Sequence, residues 1–176
     1  MAHISWCTPL GKLTIRQIAL FGVLGALTFG AKVAMSALPN IEPVYLMVML
    51  FAVVFGWKGL YPIYLYVSME FLLYGINLWN INYLYVWTVL FVCSLAMKWL
   101  QNPLWWAGLA GVFGLAFGLL CSPVYMVTMN SFSYGIRWWQ AGLPFDITHA
   151  VGNFFIALLL FVPLRKLLTK LYGKMT

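Results

Sequence analysis

Three polar residues of the sequence are spaced so that they share one face of a helix. Asp146, His149 and Asn153 are offset by three and seven positions within a mostly apolar stretch. A carboxylate, an imidazole and an amide in such a stretch need hydrogen-bond partners or a water-filled cavity. We therefore expect His149 and Asn153 to face a ligand. For Asp146 a ligand contact and a favourable position at the positive end of the helix dipole are equally good explanations.

Two oppositely charged residues form a second candidate group. Glu70 lies about ten residues into an apolar stretch, which by helical rise is about 15 Å from the inner surface of the membrane. Ionisable groups at such depth are costly and are functional candidates by default. Lys32 is a plausible partner, so the sequence predicts either a buried ion pair between two helices or contact of this pair with a ligand.

A third group gathers amide, aromatic and charged residues between the apolar stretches. Its members are Asn40, Glu42, Asn77, Asn80, Asn82, Tyr83, Tyr85, Arg137, Trp138 and Trp139. On one side of a membrane they could hydrogen-bond to and stack on a flat organic ligand, although interface anchoring also explains the tryptophans. The sequence contains no phosphate-binding loop, HExxH, GxSxG or paired carboxylates, so we predict no catalytic residue, no cofactor and no enzyme activity.

The composition decides which elements hold these residues. Of the 176 residues, 64% are hydrophobic and 7% are charged, with a mean hydropathy of +0.93. Soluble domains have about 25% charged residues. The sequence therefore predicts an all-α integral membrane protein, multi-pass in the cell membrane. Cys7, Cys93 and Cys121 are far apart, which predicts free thiols and no metal site.

Turn residues and charges divide the chain into six apolar stretches. They predict transmembrane helices at about 14–38, 44–57, 60–77, 83–99, 104–128 and 144–163, in a single domain covering 1–176. The second is short for a span of about 20 residues and is expected to be tilted or interfacial.

The basic residues predict the orientation of this bundle. With both termini cytoplasmic, eight of the ten basic residues fall inside, as the positive-inside rule expects, and Lys32 and Arg137 fall outside. The net charge of +7 is thus a topology signal, and we predict no nucleic-acid partner.

Small residues recur on two of the predicted helices. Gly22, Ala26, Gly30 and Ala34 are spaced by four in the first, and the fifth carries Gly111, Gly114 and Gly118. Such ladders let another backbone approach closely. For the fifth helix we favour packing within the bundle. For the first, packing within the bundle and docking onto a separate membrane subunit are equally good interpretations.

Several short motifs resemble those of one transporter family. They are ALPNIEP at 37–43, FGWK at 55–58, and PFDITH at 144–149 with Gly152 and Asn153. With the size and six predicted helices, they make the chain similar to the substrate-binding S components of energy-coupling factor (ECF) vitamin transporters. Within that family the resemblance is greatest to the cobalamin-specific group, although the outer amides and aromatic residues would equally suit a queuosine precursor or a pyrimidine.

The resemblance implies a function and partners. An S component binds a vitamin from outside and docks on a transmembrane coupling subunit joined to two cytoplasmic ATPases. Docking uses an AxxxA-type face on the first helix; here Ala19 is followed by Val23, and Gly22, Ala26 and Gly30 fit better. The substrate contacts expected are Asn40, Glu42, Asn80, Tyr83, Arg137, Trp138, Asp146, His149 and Asn153.

Two other classes of protein remain open. A small intramembrane enzyme would have to use Glu70, Asp146 and His149. A self-sufficient carrier would usually show internal repeats or a polar file through the bundle, and neither is visible in the sequence.

Overall fold

The computed structural model describes residues 12–37 and 42–174, and this part of the chain consists of helices joined by short connections, with no strand. Its elements are α1 (Ile15–Ala34), α2 (Val44–Phe55), a 3-10 turn (Gly56–Gly59), α3 (Leu60–Tyr74), α4 (Leu78–Ala96), α5 (Pro103–Thr128) and α6 (Phe132–Gly173). Asn40 and part of the 37–43 motif lie outside the described residues.

Five helical segments in this part of the chain are long and apolar enough to cross a membrane. They are Ile15–Ala34, Val44–Tyr74, Leu78–Ala96, Pro103–Thr128 and Phe132–Gly173. This agrees with the membrane protein that the composition predicts.

The segment Val44–Tyr74 reverses direction at its 3-10 turn. Gly56 ends α2 with a φ of 58°, a backbone conformation that glycine adopts without a steric cost. A Cβ added at Gly59 would collide with the carbonyl oxygen of Phe51. Eight residues of straight helix would separate these two positions by about 12 Å, so the chain folds back and α2 and α3 are distinct helices.

The start of α4 differs from the prediction because of a cap. The side chain of Asn77 accepts a hydrogen bond from the Asn80 backbone N–H, and the helix begins at Leu78 rather than near residue 83. Asn80 and Asn82 therefore lie in the first turns of α4 and not in a loop. The preceding helices end earlier than predicted, α1 at Ala34 and α3 at Tyr74, where Gly75 has a φ of 73°.

The largest difference concerns α6, which we predicted at 144–163. Instead α6 has 42 residues, from Phe132 to Gly173, and contains both Pro144 and Pro163. The Ser131 side chain accepts a hydrogen bond from the Tyr134 N–H and starts the helix. Proline is tolerated inside membrane helices, where neighbouring groups satisfy the freed carbonyl, so it did not mark the helix ends here. Arg137 and Trp138 are consequently helical.

The glycines of α5 let this helix approach α6 closely. A Cβ added at Gly114 would lie 2.7 Å from the backbone nitrogen of Ala150. The prediction that these glycines pack within the bundle is confirmed. The contact fixes α6 against α5 over the stretch that carries Asp146 and His149.

Polar contacts collect at two opposite ends of the bundle. At one, which we call the basic end, Lys58 donates to Gln17 at 3.3 Å and Arg165 donates to the Leu100 carbonyl at 3.3 Å. At the other, which we call the site end, Lys32 pairs with Glu70 and the rings of Trp79 and Trp138 lie 6.5 Å apart. Helix α2 lies between them, with 11 of its 12 residues buried.

Candidate ligand-binding site

A cavity of about 400 Å³ opens at the site end between α4, α5 and α6. Its volume is within the range of small-molecule pockets, about 300–1,000 Å³. Aromatic and small side chains form most of the wall, and two ionisable residues lie among them. The lining residues are Trp79, Phe117, Gly118, Trp138, Ala141, Gly142, Phe145, Asp146 and His149.

Asp146 is held against the backbone of α5. Its Oδ1 accepts a hydrogen bond from the Gly118 N–H at 3.0 Å, and a Cβ at Gly118 would collide with the carboxylate. The residue is 3% exposed, and Oδ2 has no hydrogen-bond partner among the described residues. Leaving a buried carboxylate oxygen unpaired is costly, so a ligand that offers an N–H or O–H group would be favoured at this position.

His149 and Asn153 continue the polar stripe toward the middle of the bundle. Both are buried, which confirms that the three residues share a buried helix face. His149 Nδ1 and both polar side-chain atoms of Asn153 have no partner in the described part of the chain. The His149 ring lies 5.3 Å from the Phe117 ring and 6.0 Å from the Tyr45 ring, and the Tyr45 hydroxyl is likewise unpartnered. Unsatisfied polar groups thus extend from the cavity into the core.

The predicted ion pair between Lys32 and Glu70 is present, and it is linked to the cavity wall through Tyr83. Lys32 Nζ lies 2.9 Å from Glu70 Oε1 and donates to the Tyr83 hydroxyl at 3.1 Å. Trp79 Nε1 donates to the same hydroxyl at 2.8 Å. Because the Trp79 ring lines the cavity, Tyr83 connects the ion pair to the cavity wall.

The asparagines and tyrosine of α4 have structural partners instead of cavity positions. Asn80 Nδ2 donates to the carbonyls of Gly75 at 2.9 Å and Glu70 at 3.3 Å, which joins α3 to α4. Asn82 donates to Leu78, and the Tyr85 hydroxyl lies 2.6 Å from the Leu120 carbonyl. The structure does not place Asn80 or Tyr83 in the cavity lining, where we expected them.

Of the other predicted substrate contacts in the described residues, Trp138 lines the cavity and Arg137 and Glu42 do not. Trp138 lines the cavity, and its ring stacks on Tyr125 at 3.9 Å. Arg137 is exposed and is not among the lining residues. Glu42 is half-buried in the segment before α2; burial raises the pKa of its carboxyl and the Glu70 charge raises it further, while Lys32 lowers it.

Sequence reasoning missed much of the aromatic wall. Trp79 and Phe117 lie in apolar stretches that contain many similar residues. Only their closeness to Asp146 and His149 in the folded protein distinguishes them from the other aromatic residues. Gly118, which the sequence predicts to be a packing residue, also donates the backbone hydrogen bond to Asp146.

In comparisons with known proteins, no protein-family model, curated protein or solved structure is significantly similar to the chain.

Proposed function

We propose that this chain is a non-catalytic substrate-binding membrane subunit that captures a micronutrient, in the manner of the S components of ECF transporters. The observation that carries the proposal is the aromatic cavity with Asp146 and His149 in its wall and unpartnered polar atoms beneath it. Such a site is built to bind an organic molecule with hydrogen-bonding groups. Its partners are a transmembrane coupling subunit and two cytoplasmic ATPases.

The proposed topology has six membrane crossings with both termini in the cytoplasm. The turn at Gly56–Gly59 supports two crossings within Val44–Tyr74. Lys58 and Lys98 follow α2 and α4, and Arg165 lies in the last turns of α6. All three are at the basic end, which the positive-inside rule assigns to the cytoplasm. The cavity then opens on the outer side.

The small-residue face of α1 supports docking onto another membrane subunit. A Cβ added at Gly22 or Gly30 would meet no atom within 4 Å, and Ala26 is exposed. Gly25, by contrast, packs on α3, where an added Cβ would lie 2.9 Å from Leu65. The face formed by Gly22, Ala26 and Gly30 is therefore directed away from the described bundle and is the proposed docking surface for the coupling subunit.

Cobalamin is the first substrate to test because the motifs most resemble that group. The cavity of about 400 Å³ lies toward the small end of ligand pockets, which favours a flat heterocycle such as a queuosine precursor or a pyrimidine. Binding of a corrinoid would require the cavity to open.

The test is calorimetric titration of the detergent-solubilised protein with cobalamin, then with other vitamins and heterocyclic precursors. We expect saturable sub-micromolar binding of one of these. Asp146→Asn should weaken it, while Thr148→Val, on the exposed face of α6, should not. Absence of binding across the series would overturn the proposal. Uptake by this chain alone in liposomes would instead identify a self-sufficient carrier.

A further inference from the structure

A second cavity lies at the basic end, remote from the candidate site. It has a volume of about 520 Å³ and lies between α2, the connection from α4 to α5, and the last turns of α6. Three cationic side chains, two polar ones and three valines form its wall. They are Arg165, Lys166, Lys170, Gln101, Thr169, Val53, Val54 and Val162.

No acidic side chain of this protein is available to neutralise that cavity. The whole sequence contains three acidic residues, Glu42, Glu70 and Asp146. Glu70 is paired with Lys32 and Asp146 is bound to Gly118, both at the site end, and Glu42 lies before the start of α2 close to that pair. An acidic side chain of the protein therefore cannot supply the counter-charge for the basic cavity, which leaves room for an anion from another molecule.

Arg165 is already oriented by the backbone. Its Nη1 donates to the Leu100 carbonyl at 3.3 Å and its Nη2 to the Lys98 carbonyl at 3.5 Å. Carbonyls fix the guanidinium but leave its charge uncompensated, and a guanidinium has five N–H donors. Lys166 and Lys170 are four residues apart, so both project from the same helix face.

The apolar and charged parts of the wall follow a fixed order along α6. Val162 comes first, then Arg165 and Lys166, then Lys170, over about 12 Å of helix toward the C-terminus. An acyl chain, glycerol and phosphate follow the same order from the membrane interior outward. Basic pockets of this kind between membrane helices bind anionic headgroups.

We propose that this cavity binds the phosphate headgroup of an anionic phospholipid, with the acyl chain along the valines. The valine wall favours a lipid over an acidic side chain of a soluble partner, since the latter has no apolar chain to bury there. This inference requires only that the chain is embedded in a membrane and does not depend on the transport function.

The test compares short-chain phosphatidylglycerol with phosphatidylcholine of the same chain length, titrated into the full-length protein in neutral detergent and followed by native mass spectrometry. We expect the anionic lipid to bind at least about tenfold more tightly. The double variant Lys166→Gln/Lys170→Gln should lose most of that preference. The matched control, Lys12→Gln/Lys174→Gln, removes two charges outside the cavity and should keep it.

Three results would overturn the proposal. They are equal binding of the two lipids, equal loss in both double variants, and competition by inorganic phosphate as effective as that by phosphatidylglycerol. If the double variant is poorly produced, the single variants, each at an exposed side chain, should show intermediate preferences.

Discussion

Among single residues, Gly118 couples backbone packing to the chemistry of the cavity. Its missing side chain lets the Asp146 carboxylate lie on the helix backbone and accept the Gly118 N–H. Gly118→Ala should displace that carboxylate, lower the free energy of unfolding by about 1–3 kcal/mol and weaken ligand binding. Thermal unfolding in detergent and ligand titration measure both effects.

Gly108 on the same helix provides the matched control. A Cβ there would meet no atom within 4 Å, so Gly108→Ala should leave binding unchanged and slightly stabilise α5 through the better helix propensity of alanine. Equal effects of the two substitutions would contradict the role assigned to Gly118.

Tyr83 is a positioning residue, because it acts on the cavity through Trp79. Tyr83→Phe removes the hydroxyl that accepts from Lys32 and from Trp79. We expect ligand affinity to fall about three- to tenfold, since each lost hydrogen bond is worth about 0.5–1.5 kcal/mol. Calorimetry measures the change, and Tyr64→Phe, which alters an exposed hydroxyl bonded to Leu84 on the outside of the bundle, is the control. Unchanged affinity in Tyr83→Phe would show that Trp79 needs no such support.

The Glu42 carboxyl predicts how the stability of the protein depends on pH. Its carboxyl has a raised pKa because of burial, with Glu70 adding to the effect and Lys32 opposing it; the hydroxyls of Tyr45, Tyr66 and Tyr83 also lie near. A raised folded-state pKa favours the protonated form, so its contribution to stability is present at low pH and is lost as pH rises through that pKa.

Glu42→Gln should therefore raise the melting temperature at neutral pH, and the difference from the native protein should shrink as the pH is lowered. Glu70→Gln is the contrasting control, because it leaves Lys32 without its partner and should lower the melting temperature at neutral pH. A difference for Glu42→Gln that does not vary with pH would be inconsistent with a titrating Glu42.

How far single residues could be predicted depended on whether their signal is local. The spacing of Asp146, His149 and Asn153 is local and predicted a buried stripe. The ion pair followed from the rarity of charges in apolar stretches. Asn80 was predicted to contact substrate, because an amide near a helix start can bind a ligand as readily as it can cap a helix or link two helices. Its actual role depends on the carbonyls of Gly75 and Glu70, which come close only in the folded protein.

At the scale of helices, substitutions on α1 test whether its small-residue face is the docking surface for another membrane subunit. A leucine at position 22 would project away from the described bundle, so Gly22→Leu should retain folding and ligand binding but lose uptake with the proposed coupling subunit. Val23→Leu changes an exposed neighbour and should leave uptake normal, whereas Gly25→Leu should destabilise the fold through collision with Leu65. Radiolabelled-substrate uptake in cells measures docking, and normal uptake in Gly22→Leu would contradict the assignment.

Helix bounds were predicted well where apolar stretches end at turn residues. Helix α5 spans Pro103–Thr128, close to the predicted 104–128. The prediction failed for α6 because it placed the helix boundaries at Pro144 and Pro163, whereas the helix continues through both. It failed for α4 because the cap at Asn77 precedes a polar stretch that hydropathy alone assigns to a loop. Caps and proline tolerance are decided by hydrogen bonds that hydropathy does not report.

The whole molecule is electrically asymmetric, and this predicts its orientation. In a background with Cys7, Cys93 and Cys121 replaced, Arg137→Cys should react with an impermeant thiol reagent added outside intact cells. Lys174→Cys should react only after the cells are opened. Both positions are exposed. Arg137 lies near the start of α6, and Lys174 follows its last residue. The reverse pattern would place the cavity in the cytoplasm.

Helix α6 has a mechanical consequence. One continuous helix carries Trp138 and Asp146 in the cavity wall and Arg165 and Lys170 at the basic end, with about 48 Å of helical rise between the first and last of them. Pro144 and Pro163 lie between these two ends, at positions of the kind where helices bend most readily. A change in the bend at either proline would therefore alter the position of the basic end relative to the cavity wall, because both lie on this one helix.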